Sequence, residues 1–384
     1  MRRGRGEGSV FQRADGRWTG VVDLGWVDGK RRRQSVYGRS RKEAHERLQA
    51  ALRTRSDGLA PAPARLTVGQ YLTADWLPAA KAKVRASTFD SYRSIVDVHL
   101  VPALGKIRLT ALTVADVERL LRAKSAAGLS PRRVAMIRAV LRIALGRAVR
   151  NSVLPRNVAA LAAAPRQERH EIEPFAPDEI RTLLAAVHGH RLEAMFVVAV
   201  SSGLRMGELL GLSWPDVDLE RGSLTVRAAL AKIEGEWDLV PPKSSTSRRT
   251  IALPELGVVA LRAHRTRQLE ERLRSGGVWD PSREGHDEPW NLVFATATGR
   301  PLDGPNVSRT FHAILEAAAL PRRRFHDLRH SAATALLVAG VSARVVQSIL
   351  GHSQISLTLG TYSHAIPELQ MDAAERMDAL LAAR

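Results

Sequence analysis

Tyr362 stands between His352 and His364 in the stretch LGHSQISLTLGTYSHA, and it is one of four tyrosines in a chain of 384 residues. A phenol in this setting can pack in a core, donate a hydrogen bond or act as a nucleophile. The unperturbed pKa of a phenol is about 10, so about 0.1% is ionised at pH 7, a handicap of roughly 4 kcal/mol. A nucleophilic Tyr362 therefore needs a base or a strong positive field nearby.

Two earlier stretches carry cations that could supply this field. In SSGLRMGELLGLSW, Arg205 follows a glycine and precedes an apolar helical run, so it can project from a helix start, where anions are favoured. The alternative is a surface arginine that pairs with Glu208 three residues later. In PPKSSTSRRTIALP, Lys243 follows two prolines at the tip of a predicted hairpin. The alternative for Lys243 is a solvated loop lysine.

A third stretch, RFHDLRHSAATALLVAGV, carries His326, Arg329 and His330 at helical spacing. Two histidines four residues apart are typical of zinc-binding helices. Here Asp327 stands where that pattern has glutamate, no cysteine exists, a third ligand is not apparent and Arg329 would repel a cation. We therefore expect no metal at this site.

The charge of the chain favours a polyanionic partner. Lysine and arginine number 58 against 39 aspartate and glutamate residues, a formal net charge of +19 at pH 7. Such an excess most often indicates nucleic acid binding, although a GC-rich genome also enriches arginine and alanine. The absence of cysteine excludes disulfides and thiol catalysis. With no apolar run near 18 residues and no signal-peptide pattern, we expect a cytoplasmic protein that does not act in a membrane.

The segment up to residue 57 predicts a small basic module. Strand-forming runs flank VDGK as in a hairpin, and SRKEAHERLQAALRTR predicts a helix with Ser40 as its N-cap. Four basic residues are expected on the turn of the hairpin: Lys30, Arg31, Arg32 and Arg33. Small sheets of this kind can enter a DNA major groove. The alternative is a charge cluster that protects an edge strand from aggregation.

The remaining chain divides into a helical segment and a mixed segment. After the Pro/Ala linker at 56–65, apolar residues at three- and four-residue steps predict a four-helix unit over 66–165, with Thr67, Thr113 and Ser130 as N-caps. From 172 onward we expect helices, a β-rich patch around 222–254, and a helix that ends at Gly351. The tail predicts an amphipathic helix, and its apolar positions are Leu369, Ala373, Met377 and Leu380.

Taken in order along the chain, six residues resemble the active-site set of the tyrosine recombinases, often called phage integrases: Arg205, Lys243, His326, Arg329, His352 and Tyr362. SSGLRMGELLGLSW is similar to the first arginine box of that family, with Ser202 where threonine is commoner. HDLRHSAAT and LGHSQISLTLGTYSH are similar to its second box. The resemblance implies an α+β protein, mainly α with small β-sheets, that has an arm-type DNA-binding domain (1–57), a helical core-binding domain (66–165) and a catalytic domain (172–384).

The resemblance also implies an enzyme that cleaves and rejoins DNA strands through a 3′-phosphotyrosyl intermediate, without metal or ATP. Arg205 and Arg329 would bind the non-bridging phosphate oxygens, since guanidinium forks match them. His326 would accept the proton of Tyr362, and His352 would donate a hydrogen bond to a phosphate oxygen. Lys243 would protonate the departing 5′ oxygen.

The partners implied by the family are double-stranded DNA attachment sites and three further copies of the chain. The protein would be a monomer when free and a homo-tetramer on DNA, and an accessory DNA-bending or excision factor would assist it. The tail would dock on the neighbouring protomer or on its own domain. We expect the protein at the nucleoid of a bacterium, encoded by a phage or another mobile element.

Two other functions share parts of this pattern. A type IB topoisomerase uses the same active-site logic but relaxes DNA as a monomer, and the basic N-terminal module argues against it. A DNA-binding regulator with decayed catalytic residues is the non-enzyme alternative. All six residues of the set are present, which favours the enzyme.

Overall fold

The computed structural model of the protein describes residues 9–27, 30–56, 65–163, 173–242 and 248–351, together with 377–378 and 381–382. The chain forms two compact units, Met1–Arg169 and His170–Arg384. The separation of residues 1–57 from residues 66–165 as two domains stays a prediction.

The first unit begins with a small antiparallel sheet and one helix. The elements are β1 (Ser9–Gln12), β2 (Trp18–Val27), β3 (Lys30–Gly38) and α1 (Arg41–Ser56). The strands pair in the order β1-β2-β3, and α1 covers one face of the sheet with Ala44 and Leu48, which are buried together with Val22. Ser40 accepts the backbone N–H of Glu43 at 3.1 Å, as expected of an N-cap.

The prediction that the hairpin turn carries the four basic residues is wrong. Val27 on β2 pairs with Lys30 on β3, so only residues 28 and 29 connect the two strands. Lys30, Arg31, Arg32 and Arg33 therefore occupy the first four positions of β3. A two-residue connection is the length that a tight antiparallel hairpin prefers, and it leaves no room for a longer basic loop.

Helices dominate the described residues 65–163 of the first unit, in four long stretches and a short final helix. They are α2 (Val68–Gln70), α3 (Leu77–Lys81), α4 (Ala86–Ile95), α5 (Val101–Leu104), α6 (Val114–Ala126), α7 (Pro131–Arg150) and α8 (Val158–Leu161). A π-helical segment, Tyr71–Trp76, joins α2 to α3, and a second, Val96–Leu100, joins α4 to α5. One apolar core holds these helices together, because their buried residues form a single cluster.

The predicted N-caps of this helical part are confirmed. The side-chain hydroxyls of Thr67, Thr113 and Ser130 each accept the backbone N–H of the residue three positions later, at 3.2–3.3 Å. Each cap satisfies a donor that the first turn of a helix leaves without an intrahelical partner. Local sequence chemistry therefore fixes where these helices begin.

The second unit combines helices with short strands. Its elements are α9 (Pro177–Ala186), α10 (Glu193–Ser202), α11 (Met206–Leu210), β4 (Val217–Asp218), β5 (Ser223–Val226), β6 (Ala229–Ile233), β7 (Glu236–Val240), β8 (Arg249–Ala252), α12 (Glu255–Ser275), α13 (Gly304–Ala317), α14 (Asp327–Val338) and α15 (Ala343–Leu350). The strands form an antiparallel sheet in the order β4-β5-β8 and a separate hairpin, β6-β7. The expected mainly helical α+β architecture is confirmed.

The core of this unit surrounds α10. This helix is apolar on every face, which is typical of a helix buried on all sides. Phe196 of α10 stacks on Phe311 of α13 with ring centroids 5.8 Å apart, and Phe325 meets Phe311 edge-on at 5.6 Å. The aromatic contacts tie α13 and the chain entering α14 to the central helix. None of the described helices combines the length and apolarity that a membrane crossing requires.

The prediction that the strands on either side of Lys243 pair with each other as a hairpin is wrong. The strand before this lysine, β7, pairs with β6, whereas the strand after it, β8, pairs with β5. The β6-β7 hairpin turns at Glu234 and Gly235, both of which have positive φ. Pro241 and Pro242 lack backbone N–H donors and so cannot extend the β6-β7 ladder. Lys243 lies in a connection between two sheets, and its own position is outside the described residues.

The helical part of the first unit offers a matched test of its core. Ile137 and Ile143 lie on the same helix, α7, but Ile137 is fully buried and Ile143 is 40% exposed. We expect Ile137→Ala to lower the free energy of unfolding by about 2–5 kcal/mol, because it leaves a cavity. Ile143→Ala should change it by about 0.5 kcal/mol. Urea denaturation of the full chain measures both, and equal effects would contradict the described packing.

Candidate active site

The turn between α10 and α11 presents Arg205. α10 ends at Gly203, whose φ of 62° lies in the left-handed region that favours glycine. A Cβ at this position would lie 2.5 Å from Cδ2 of Leu350, so a side chain would collide with α15. Arg205 is extended, and α11 begins at the next residue. The glycine thus allows a close approach to α15 and leaves the arginine at a helix start, as predicted.

Glu208 holds Arg205 through two contacts. One carboxylate oxygen accepts the backbone N–H of Arg205 at 3.0 Å, and the other accepts Nη1 of its guanidinium at 2.7 Å. The side chain of Arg205 is 38% exposed, whereas that of Glu208 is 4% exposed. The pairing suggested by the sequence is therefore real, but its acidic partner is buried rather than on the surface.

Arg249 is a second cation on the same carboxylate, and sequence reasoning missed it. Its Nη2 donates to Oε2 of Glu208 at 3.0 Å and its Nη1 lies 3.4 Å from Oε1. Its Nε donates to the carbonyl of Ile349 at the end of α15. The available signal was strand alternation, because Arg249 has the same parity on β8 as the buried Ile251.

The charge of Glu208 is stabilised by these two arginines. Burial alone would raise the pKa of the Glu208 carboxyl. The hydrogen bonds and positive charges of Arg249 and Arg205 outweigh it and hold the pKa of Glu208 below its usual value. Glu208 is therefore an anion at neutral pH.

Arg329, the second predicted phosphate ligand, is 1% exposed on α14. Its Nη1 donates to the carbonyl of Gly203 and its Nη2 to the carbonyl of Leu350, each at 2.7 Å. One guanidinium therefore links the turn that precedes Arg205 to the end of α15. Ser202, in the place where the related family more often has threonine, is buried and donates to the carbonyl of Val198 at 2.6 Å.

Three arginines meet at the C-terminal end of α15. The carbonyls of three consecutive residues each accept a different guanidinium: Ile349 from Arg249, Leu350 from Arg329, and Gly351 from Arg205, the last at 3.2 Å. The last carbonyls of a helix have no intrahelical donor and form the negative end of its dipole. We call Arg205, Arg249 and Arg329 the arginine cluster. With one buried carboxylate among three cations, it provides a field that attracts an anion.

His326 lies at the residue before α14, beside this cluster. The residue is exposed, and the centroid of its ring lies 5.1 Å from that of His330 in an edge-on contact. Partial loss of hydration, together with the charges of Arg329, Arg324 and Arg205, lowers the pKa of His326, against the effect of Asp327. The imidazole is therefore neutral at pH 7 and able to accept a proton.

Within the described part of the chain, no group of three or more His, Cys, Asp or Glu residues is arranged so that it could hold a metal ion, and this includes the histidine pair. The adjacent Asp327 is occupied by Arg324, whose backbone N–H and Nη2 both donate to it at 2.8 Å. This contact anchors the start of α14.

The structure thus brings together three of the six predicted catalytic residues: Arg205, His326 and Arg329. Lys243, His352 and Tyr362 lie outside the described residues. The same is true of most of the tail, whose Met377 is exposed.

The expected helix ending at Gly351 is confirmed, because α15 stops at Leu350 and Gly351 is left-handed. Gly351 is the residue that directly precedes His352.

A pH titration tests the environment of the histidine pair. Desolvation and the neighbouring His326 lower the pKa of His330 to about 4. The unfolded chain binds this proton more readily, so stability is full above pH 6.5 and falls as the pH drops towards 4. Between pH 7 and pH 4.5 we expect His330 to account for a loss of roughly 2–3 kcal/mol.

The measurement compares the free energy of unfolding of the wild type and of His330→Asn at these two pH values. Carboxyl groups titrate in both proteins, so only the difference between them reports on His330. The variant should lose less stability than the wild type on acidification. The same loss in both would contradict the half-buried position of this ring beside His326, Arg329 and Arg324.

Comparison with known proteins agrees with this fold. The model of the phage integrase family matches residues 173–368, and that of the phage integrase N-terminal SAM-like domain matches residues 68–124. The integrase of Streptomyces ambofaciens is 32% identical over 393 residues, covering 99% of this chain and 97% of that protein. A tyrosine recombinase XerC-like protein of Caldanaerobacter subterraneus is 29% identical, covering 92% and 93%.

Solved integrase structures share the fold at low sequence identity. The Tn1549 transposon integrase in complex with a circular intermediate DNA superposes with a TM-score of 0.67 at 22% identity, over 81% of this chain and 99% of that chain. A lambda integrase tetramer bound to a Holliday junction gives 0.56 at 18% identity, over 94% and 96%.

The fold and the matched sequence thus place the chain among the tyrosine recombinases, the class that cleaves and rejoins DNA strands. The chain belongs to the phage integrase family. The resemblance noted from the six motif residues is confirmed at the level of the family.

Proposed function

We propose that the chain is a site-specific integrase that inserts a phage or mobile element into DNA and also excises it. Strand cleavage would proceed through a 3′-phosphotyrosyl intermediate on Tyr362. The observation that carries the proposal is the meeting of Arg205 and Arg329 at the end of α15, beside a neutral His326 and one residue before His352.

The first step would be attack of the Tyr362 oxygen on a backbone phosphorus. His326 accepts the phenol proton, and Arg205 and Arg329 stabilise the charge that develops on the two non-bridging oxygens. A guanidinium carries five N–H donors, so an arginine that is held by carbonyl oxygens can also bind a phosphate oxygen. His352 donates a further hydrogen bond to the phosphate.

In the same step the bond from phosphorus to the 5′ oxygen breaks, and Lys243 gives that oxygen a proton. Resealing is the reverse: a 5′-hydroxyl gives its proton to Lys243 and attacks the phosphotyrosyl phosphorus, the bond from phosphorus to the Tyr362 oxygen breaks, and His326 returns the proton to that oxygen. The ester keeps the energy of the broken phosphodiester, so the cycle needs no ATP.

The proposed assembly is a monomer in solution and a homo-tetramer on two DNA duplexes. The lambda integrase neighbour, which is a tetramer bound to a Holliday junction, supports it. Basic residues 30–33 at the start of β3 would contact flanking arm sites, and an accessory DNA-bending or excision factor would set the direction. The excess of 58 basic over 39 acidic residues supports binding to duplex DNA, and we expect the protein to act at the cytoplasmic nucleoid.

Tyr362→Phe tests the nucleophile. The variant lacks only the phenol oxygen, so we expect it to bind the attachment site with unchanged affinity and to form no covalent adduct.

The core site is first found by sequencing the junctions that the wild type makes when its gene and flanking DNA are placed in a bacterial host. Adducts on a nicked suicide substrate are then counted on denaturing gels. Adducts that persist in this variant would refute the assignment of Tyr362, and relaxation without joining would indicate a topoisomerase.

Arg205→Ala tests the phosphate-binding role. We expect cleavage of the suicide substrate to fall by about 100- to 1,000-fold, while DNA affinity stays within about threefold because many other phosphate contacts remain. The fold should tolerate the change, since Arg249 still neutralises the buried Glu208. Rates come from single-turnover assays and affinities from filter binding. Cleavage at the wild-type rate would contradict the proposal.

A further inference from the structure

We infer that Arg249 is a positioning residue, which acts on Arg205 through Glu208 and through the end of α15. It would not bind the DNA phosphate itself. The inference rests on the proposed function, because it assumes that Arg205 must leave part of its contact with Glu208 to reach a phosphate.

Two guanidinium groups share one buried carboxylate. Both oxygens of Glu208 are in reach of both arginines: Oε1 lies 2.7 Å from Nη1 of Arg205 and 3.4 Å from Nη1 of Arg249, and Oε2 lies 3.0 Å from Nη2 of Arg249 and 3.0 Å from the backbone nitrogen of Arg205. The side chain of Arg249 is 6% exposed, so its charge acts on Glu208 with little screening by water.

This sharing sets how tightly Glu208 holds Arg205. A buried carboxylate that loses one of two cations must rely more strongly on the other. Without Arg249, Glu208 would therefore compete more effectively with the DNA phosphate for the Arg205 guanidinium. With Arg249 in place, the negative charge of Glu208 is still paired with a guanidinium when Arg205 moves to the phosphate.

Arg249 also fixes the other end of Arg205. Its Nε binds the carbonyl of Ile349, two residues from the Gly351 carbonyl that accepts Nη2 of Arg205. The turn at Gly351 packs directly on the Arg249 side chain, because a Cβ at Gly351 would lie 3.0 Å from its Nη1 and 3.2 Å from its Cδ. One side chain therefore holds both groups to which Arg205 is bound.

The backbone of Arg249 is itself well anchored. It begins β8 opposite Val226 of β5, in the three-stranded sheet. The strand follows directly on the segment that carries Lys243. Because its backbone is held in the sheet, the side chain of Arg249 keeps Glu208 and the Ile349 carbonyl in fixed positions. A lysine could not do this, since it lacks the planar fork that binds a carboxylate and a carbonyl at once.

The test uses five full-length proteins: wild type, R249M, R249K, the double variant R249M/E208Q and the control R191M. Arg191 also binds a glutamate through two nitrogens, Nε and Nη2 to Glu271 at 2.9 and 2.8 Å, but it lies in the turn before α10 and its partner lies on α12. Each protein is assayed for the single-turnover rate of adduct formation on the suicide core-site DNA, for DNA affinity and for thermal unfolding.

We expect R249M to form the adduct about 100-fold more slowly than the wild type, with an unchanged affinity for DNA. R249K keeps the charge without the fork and should lose about tenfold. R249M/E208Q should recover at least about tenfold over R249M, because the carboxylate that retains Arg205 has lost its charge. R191M should cleave like the wild type.

A merely structural role would give a different result. R249M lowers the melting temperature in either case, because the buried Glu208 loses a cation. In a merely structural role, however, removing the charge of Glu208 would not restore the rate. The inference is overturned if R249M cleaves within about threefold of the wild type, or if R249M/E208Q is no faster than R249M. Should R249M fail to fold, R249K decides, and a wild-type rate for it also overturns the inference.

Failure of the proposed function is recognised separately. In that case the wild type itself forms no adduct, or Tyr362→Phe forms one. Neither outcome depends on Arg249.

Discussion

The C-terminal end of α15 is the constraint on which the rest of the site depends. Three consecutive carbonyls there have no intrahelical donor, and three arginines from separate parts of the chain supply one. The helix end thereby gathers Arg205 from the start of α11, Arg249 from β8 and Arg329 from α14. Because the chain continues from this helix end to His352, the cations are collected at the entry to the segment that bears the tyrosine.

Placing these charged groups together in the protein interior costs free energy. An unpaired guanidinium or carboxylate in a protein interior is costly, so each must be satisfied by hydrogen bonds of good geometry. In the arginine cluster, Glu208 and the three carbonyls at the end of α15 accept these hydrogen bonds. Arg329 donates a further one to the carbonyl of Gly203. Partial loss of hydration, together with the same positive surroundings, lowers the pKa of His326 and keeps its ring neutral. The arginine cluster therefore favours the binding of an anion and also helps to keep His326 in the neutral form that can accept a proton.

Sequence chemistry predicted the parts of the fold that local rules decide. Thr67, Thr113 and Ser130 begin their helices as expected, and Gly351 ends α15 in the left-handed conformation that glycine favours. Spacing and residue types also identified Arg205, His326 and Arg329, whose positions converge. Local patterns sufficed here because caps and helix ends depend on a few neighbouring residues.

What sequence could not supply was the pairing between distant segments. The strands around Lys243 looked like one hairpin, but they join two sheets, since their partners lie elsewhere in the chain. Arg249 looked like one of several basic residues in SSTSRRT, and only the approach of α15 and Glu208 buries it. Strand alternation could place Arg249 on the same face as Ile251, but it could not identify Glu208 and α15 as its partners, because long-range packing decides these contacts.

The most direct measurement is a crystal structure of the protein joined through Tyr362 to a cleaved core-site strand. The account predicts that guanidinium nitrogens of both Arg205 and Arg329 lie about 3 Å from non-bridging oxygens of that one phosphate. It also predicts that Arg249 still bridges Glu208 and the carbonyl of Ile349. A phosphotyrosyl group held by other side chains, with Arg205 and Arg329 bound only to Glu208 and to carbonyls, would contradict it.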